Sequence, residues 1–281
     1  MSPKRSKPKG RGVHGLRQRL GQHFLASRQT LEAIIAATND LQELPILEIG
    51  PGRGALTFLL AERFPSVIAV EKDERLANEL EASLSERKIK TVTVVRGDIL
   101  RVFPNRLALP ERYAVIANIP YYLTSRLIRV LLESEHRPEA MVLMVQEEVA
   151  ERIVAKPPRM NLLGLAVQAY ATPRIVARVP RTAFLPRPKV DSAIIRIDRV
   201  SEKFFQEEGI APDAFFNMLR AAFGGKRKIL ANTLAGLAGS KPKAALAITA
   251  AGISATARPE TLSLPNWVRL ARALNTKRKS P

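Results

Sequence analysis

Strand-like and helical patterns alternate along the first two thirds of the chain. They predict an α/β fold, in which helices cover a mostly parallel seven-stranded sheet and a small all-α C-terminal domain follows. Three observations carry this expectation. Short apolar runs recur at residues 44–49, 66–71, 91–95, 113–117 and 140–146, several of them apolar on both faces, as strands buried on both sides must be. Helical patterns at 56–63, 75–85, 125–133 and 147–155 separate them. After Tyr170 the alternation stops: two strand-like runs at 174–179 and 192–200, joined by a loop with Pro180, Pro186 and Pro188, read as an antiparallel hairpin closing one sheet edge.

Taken in order, residues 1–12 hold Pro, Gly, Ser and basic residues before any apolar periodicity, so an arm without a core is expected over 1–16. The α/β domain is expected over 17–203. It opens with helical spacing at Leu31, Ile34, Ile35 and Thr38 and then the run 44–49 into Gly50. From about Pro212 the pattern is helical only, around Phe215, Phe216 and Leu219, around Ile229, Leu230 and Leu234, and over 246–251 and 267–274. This assigns residues 204–281 to the helical domain.

The chain has 281 residues, 46% hydrophobic and 25% charged, the composition of a globular protein. No apolar run approaches the roughly 20 residues needed to span a bilayer, and the first residues lack the apolar stretch of a secretion signal, so a cytoplasmic location is expected. The absence of cysteine excludes disulfides, thiolate nucleophiles and cysteine-based zinc sites. The three histidines, His14, His23 and His136, are too scattered for a metal cluster, so no metal is expected. The formal charge of +19 is concentrated at the ends. Residues 1–19 carry seven Lys/Arg and no acid, residues 201–281 thirteen against five, and the centre is close to balanced. Such a distribution suits a catalytic core flanked by attachments for a polyanion, since each neutralised phosphate releases counterions.

The strongest local signal is Glu48-Ile49-Gly50-Pro51-Gly52-Arg53-Gly54, where a strand gives way to a helix. Glycines there permit a sharp turn and let a ligand approach the backbone closely; an ordinary glycine turn would read the same way on its own. Glu71 closes the next strand, placed to accept hydrogen bonds from both hydroxyls of a ribose. Asp98 follows the third strand, placed to accept from an adenine amine. Together they imply a nucleoside-containing cofactor at the strand tips. A dinucleotide would favour a third glycine at position 55, which is Ala55, although that motif tolerates alanine.

The fourth strand ends in Asn118-Ile119-Pro120-Tyr121. An amine conjugated to an aromatic ring is a poor nucleophile, because its lone pair is delocalised. The Asn118 side-chain oxygen and the Ile119 carbonyl can each accept one N–H and aim that lone pair at an electrophilic methyl, while Pro120 stiffens the loop and Tyr121 offers a stacking face. A strand-end turn kinked by proline is the plainer reading of these four residues alone.

With Gly21-Gln22-His23-Phe24-Leu25 ahead of these motifs and Phe184-Leu185-Pro186-Arg187-Pro188-Lys189-Val190-Asp191-Ser192 behind them, the sequence resembles the KsgA (RsmA) family of small-subunit rRNA adenine dimethyltransferases from about residue 17 to 274. The Erm enzymes, which methylate large-subunit rRNA, share the superfamily. The resemblance implies a Rossmann-like domain that binds S-adenosylmethionine (SAM), acting as a monomer without metal on two adjacent adenosines near the 3′ end of 16S rRNA in the immature 30S subunit. It further implies that His23 and Leu25 border SAM, that Gly50 and Gly52 pass under its methionine part, and that Glu71 holds the ribose and Asp98 the adenine. Asn118 would lie beside both cofactor and target amine, with Tyr121 and Phe184 sandwiching the flipped adenine. Arg227 and Lys228, in a motif that resembles the family's basic helix start, would contact phosphates.

Three departures accompany the resemblance. His23 stands where the family usually has Asn, Ile119 replaces the usual Leu, and residues 156–165 lack a Tyr-Gly pattern common in that loop. An Erm-type enzyme acting on 23S rRNA and a non-catalytic nucleic-acid binder on the same fold are the alternative functions.

Overall fold

A computed structural model of the chain describes residues 23–225 and 228–275. The arm expected at 1–16 lies outside them. The described chain begins with a two-residue strand, β1 (Phe24–Leu25), and the helix Arg28–Ala36. The Ser27 side chain caps that helix by accepting the Thr30 N–H at 3.2 Å. Five strands then alternate with helices: β2 (Ile46–Ile49), β3 (Val67–Glu71), β4 (Val92–Arg96), β5 (Ala114–Asn118) and β6 (Ala140–Gln146). The longest intervening helix, Glu74–Glu86, starts at Asp73, whose carboxylate accepts from the N–H groups of Arg75 and Leu76. It buries Leu76, Ala77, Leu80 and Leu84 along one stripe.

Three more strands follow: β7 (Thr172–Val179), β8 (Phe184–Leu185) and β9 (Ser192–Asp198). The main sheet runs in the order β4-β3-β2-β5-β6-β9-β7, with the first five strands mutually parallel and β9 antiparallel to both its neighbours. The hairpin foreseen after Tyr170 is present. Its second strand, β9, is interior, inserted between β6 and β7, and β7 forms the edge. Side-chain chemistry sets that order: β9 is apolar along Ala193, Ile194, Ile195 and Ile197 and is buried, whereas β7 carries Arg174 and Arg178 and stays partly exposed. Residues 44–49 were expected to form one strand. Pairing starts only at Ile46, because Pro45 has no N–H to give the ladder.

The helical region expected from residue 204 begins with Lys203–Glu208 and continues through Pro212–Phe223, two short turns at Leu230–Thr233 and Ala235–Ala238, Lys241–Ala250 and Leu264–Asn275. It shares a hydrophobic core with one face of the sheet. Leu143 and Ile195 of the strands belong to the same buried cluster as Phe215, Leu230 and Trp267. The joint is aromatic. Tyr170, at the end of the helix Leu162–Tyr170, packs its ring 5.0 Å from that of Phe205 and 5.8 Å from that of Phe216, and Phe215 meets both phenylalanines edge-on. The other face of the sheet is covered by the helices Arg28–Ala36 and Thr57–Ala61, through Ile34, Ile35 and Leu60 against Ile46, Ile116 and Val142.

Phe215→Ala is expected to cost about 3–5 kcal/mol of stability, as truncations of fully buried aromatics do, measured by urea unfolding. Because the core is continuous, the fluorescence of Trp267, the one tryptophan of the chain, should change in the same transition as the far-ultraviolet circular dichroism. Two separated transitions would contradict a shared core.

Candidate active site

In a sheet of this order the chain leaves β2 toward β3 and β4 on one side and returns to β5 and β6 on the other, so a crevice opens where the direction reverses, beyond the carboxyl ends of β2 and β5. Two hollows of about 290 and 350 Å³ occupy it and share Gly50, Glu71 and Pro120 as a common wall. The first is lined by Val70, Glu71, Lys72, Asp98, Ile99 and Tyr122. The second is lined by His23, Leu25, Gly52, Asn118, Tyr121 and Phe184, among others. All seven positions expected to border the cofactor, His23, Leu25, Gly50, Gly52, Glu71, Asp98 and Asn118, therefore meet in one crevice, as do the four assigned to the target base: Asn118, Ile119, Tyr121 and Phe184.

The glycine loop is shaped by its own backbone and by Glu71. Gly50 and Gly52 have φ of +70° and +58°, in the left-handed region that disfavours side chains. A Cβ on Gly52 would lie 3.1 Å from the Phe24 ring. The Glu71 carboxylate is buried, with Oε2 accepting the Gly52 N–H at 3.0 Å and Oε1 the Asp73 N–H at 2.9 Å. Each oxygen keeps a second lone pair, enough for a diol to bind as well.

Asp98 caps the short helix Ile99–Val102 through Leu100 N–H at 3.1 Å and accepts from Lys72 Nζ at 2.9 Å. The Lys72 ammonium holds the Asp98 carboxyl below the usual carboxylate range, so it remains an ionised acceptor.

On the other wall, β1 and β8 form a separate two-stranded antiparallel ribbon, pairing Phe24 with Leu185 and Leu25 with Phe184. Strand alternation turns Phe184 inward, 1% exposed, and leaves Leu185 66% exposed. Phe184 is thus a buried wall of the crevice and packs with the core, whereas Tyr121 is half-buried, with its hydroxyl 2.8 Å from Ser192 Oγ. The His23 ring lies 5.8 Å from that of Tyr121, and its Nδ1 is 2.8 Å from the Pro186 carbonyl oxygen. Asn118 donates its amide N–H to the His23 carbonyl at 3.4 Å. That contact fixes which end of the side chain is the donor and leaves Oδ1 to accept from a ligand. Ile119, 1% exposed, anchors the loop in the core.

Of the two basic residues expected to meet phosphate, Arg227 lies outside the described residues. Lys228 is exposed just ahead of the turn Leu230–Thr233, away from the crevice lining. Among the described residues no group of acids and histidines could hold a metal ion, and no helix is long and apolar enough to cross a membrane.

Sequence reasoning passed over Glu48. Its side chain is 1% exposed in the middle of the sheet, Oε2 finds no partner among the described residues, and burial pushes its carboxyl up to about 8, with the nearby Glu71 charge adding to the rise and Thr57 opposing it. An acid inside an otherwise apolar strand, Ile-Leu-Glu-Ile, was the available signal.

A crevice of this form is common to many nucleotide-binding folds, and comparison with known proteins decides among them. A family model described as ribosomal RNA adenine dimethylase matches residues 13–276. The chain belongs to that family. Relatives called ribosomal RNA small subunit methyltransferase A include one from Dehalococcoides mccartyi (strain CBDB1), 43% identical over 90% of this chain and 87% of its own, and one from Acidobacterium capsulatum, 38% identical over 95% of both. Among solved structures, a dimethyladenosine transferase from Plasmodium falciparum superposes with a TM-score of 0.77 at 26% identity, covering 91% of this chain and 98% of its own. The 23S rRNA methyltransferase ErmE does so with 0.70 at 30% identity, covering 90% and 99%. As a dimethylase-family member the chain thus has the Rossmann-like fold that the alternation of strands and helices predicted, with a mostly parallel seven-stranded sheet and helices at the C-terminal end.

The Glu48 carboxyl gives a pH prediction. Its folded value lies above the ordinary carboxylate one, so between them the folded state binds the extra proton. Stability should therefore fall as pH rises from about 4.5 to about 8 and level off beyond. Denaturant unfolding across that range should show the decline in the native chain and a flatter profile in Glu48→Gln. A second expectation concerns the loop: Gly52→Ala should weaken binding of the cofactor, measured by calorimetry, while leaving the far-ultraviolet spectrum native, because φ and the Phe24 contact are both violated locally.

Proposed function

We propose that the chain transfers methyl groups from SAM to the exocyclic N6 amine of adenosine in small-subunit rRNA, twice on each of two adjacent adenosines in a hairpin near the 3′ end of 16S rRNA. It would act as a monomer in the cytoplasm on the immature 30S subunit. The observation that carries this reading is Asn118, whose amide is turned by the His23 carbonyl so that its oxygen is left for an amine N–H at the end of β5, beside the glycine loop. The crevice fits the cofactor. The Gly52 backbone leaves space that a side chain would fill, the buried Glu71 carboxylate can take a ribose diol, and Asp98, ionised beside Lys72, can take the adenine amine.

Bound there, SAM supplies a methyl group already activated by its positively charged sulfur. The protein's own task is orientation and exclusion of water. Asn118 Oδ1 and the Ile119 carbonyl accept the two amine hydrogens and so direct the nitrogen lone pair. Tyr121, its ring held by the hydroxyl contact to Ser192, stacks on the base, which is worth roughly 1–3 kcal/mol against the cost of unstacking it from the RNA. Phe184 closes the pocket from the core side. Basic residues at the two ends of the chain, among them Arg227 and Lys228, would meet phosphates.

The similarity to ErmE supports the same chemistry on 23S rRNA as a second reading, since the two folds are alike over nearly the whole chain. The curated relatives, named for the small subunit, favour the first. Incubation with radiolabelled SAM should label 30S particles that lack the modification and leave protein-free 23S RNA unlabelled; the reverse pattern would select the second reading. Asn118→Ala should abolish transfer while sparing SAM binding, whereas Glu71→Ala should weaken SAM binding itself, since it loses both the ribose acceptor and the tie to Gly52. Equal loss of binding in both variants would contradict the division of roles.

A further inference from the structure

A base can bring its exocyclic amine to Asn118 only after leaving the stack of its neighbours, because that acceptor is half-buried at the end of β5, inside the second hollow of the crevice. Leaving is costly, and stacking on Tyr121 returns only part of the cost. It also opens a gap in the RNA into which the base can fall back. Proteins that keep such a gap open do so by inserting an apolar side chain into it. The side chain must be large, exposed, beside the pocket and carried on a firm backbone.

Among the described residues the exposed large hydrophobic side chains are Tyr122, Leu185, Val190, Leu237 and Leu246. Single exposed apolar residues are ordinary on a protein surface, so position decides among them. Leu237 and Leu246 belong to the helical C-terminal region, and neither they nor Val190 line the crevice. Tyr122 lines the first hollow, with Lys72 and Asp98. Leu185 alone lines the second, with Asn118, Tyr121 and Phe184, and it is the most exposed of the group.

Its backbone is pinned on both sides. Leu185 lies opposite Phe24 in the β1–β8 ribbon, the Ala183 carbonyl ahead of it accepts the Ala26 and Ser27 N–H groups at 2.9 and 3.2 Å, and the Pro186 carbonyl behind it lies 2.8 Å from His23 Nδ1. Pro186 and Pro188 stiffen the loop, and the Arg181 guanidinium reaches across it to the Lys189 carbonyl at 3.3 Å. The alternation that sends the Phe184 ring into the core therefore holds the Leu185 side chain out at the rim of the lobe. The surroundings suit RNA. Arg53, whose guanidinium lies over the Phe24 ring, and Arg187 and Lys189, which follow Leu185, are exposed and form no ion pair with another described residue.

We infer that Leu185 is the wedge of this site: as the target adenosine swings into the crevice, the leucine side chain enters the place it vacates and keeps the neighbouring bases apart. The inference rests on the proposed adenine-N6 methylation and adds to it a residue outside both the cofactor contacts and the base sandwich. Leu185 takes no part in the chemistry. Its effect is on the fraction of time that the base spends extruded.

The test sets the native chain, Leu185→Ala and Leu185→Met against two kinds of 30S particle that lack the modification. One carries intact 16S rRNA. In the other an abasic residue replaces one of the two adjacent adenosines, so that the remaining target has no filled stack to leave on that side. Single-turnover transfer is measured with saturating radiolabelled SAM, and each variant's rate is divided by the native rate on the same particle, so that any change in cofactor handling cancels between the two. Leu185→Ala should be slower by about 10-fold on intact particles and within about twofold of native on the abasic ones, where there is no gap to fill. Leu185→Met, of similar volume, should stay near native on both. The adenine analogue 2-aminopurine, which brightens when unstacked, gives a readout without transfer: placed at a target position, it should brighten with the native chain and Leu185→Met and far less with Leu185→Ala. Equal slowing of Leu185→Ala on both particles, or none on the intact ones, would overturn the inference, as would equal brightening with all three proteins. Each of these results would leave the proposed function standing. A native chain that labels no intact particle would instead remove the function and the inference together.

Discussion

The Glu71 carboxylate is the tie on which the crevice depends. Its two oxygens reach in opposite directions, one to the Gly52 N–H and one to the Asp73 N–H, so the glycine loop after β2 and the start of the helix Glu74–Glu86 are fixed to the end of β3 by one side chain. That helix in turn brings Leu80 under the loop, where a Cβ on Gly54 would come within 2.6 Å of it. The loop is thus held by hydrogen bonds from one side and by close packing from the other. Its left-handed glycines are kept in place by a closed circuit of contacts, and not by their own preference. A ligand that takes the remaining lone pairs of Glu71 engages the group that shapes its own binding surface.

The second wall is built on a different principle. Where the glycine loop draws on the continuous parallel sheet, the β1–β8 ribbon has only four residues, extended by the Ala26 and Ser27 N–H groups on the Ala183 carbonyl and by an imidazole-to-carbonyl contact. It nevertheless positions three candidate groups of the site at once. The Phe184 ring is directed into the core, the His23 carbonyl orients Asn118, and the His23 ring is set beside Tyr121. The orientation of the amide at the end of β5 is therefore decided from across the crevice by a segment that sequence places 95 residues away.

Much of this was legible in the sequence because it is local. Five parallel strands were found within about two residues of their ends, since a strand buried on both faces must be apolar throughout. Glu71 and Asp98 stood out as candidates because an acid at or just past the end of such a strand interrupts that pattern. What escaped was non-local. A two-residue ribbon leaves no periodicity to detect, so neither the pairing of Phe24 with Leu185 nor the burial of Phe184 could be read from composition or spacing. Nor could the insertion of β9 between β6 and β7, because a hairpin reads the same whichever strand lies at the edge. Glu48 was in plain view but was read as part of a glycine motif. Its charge state is set by its burial, which only the packing reveals.

The ribbon has a mechanical corollary. The described chain enters at His23 and Phe24, so a pull applied at that point would be borne first by a four-residue ladder that also carries the pocket wall. Tension there would be felt at the imidazole and at the Asn118 amide before it reached the sheet. The first described residues and the orientation of the Asn118 amide thus depend on the same few ångströms of backbone.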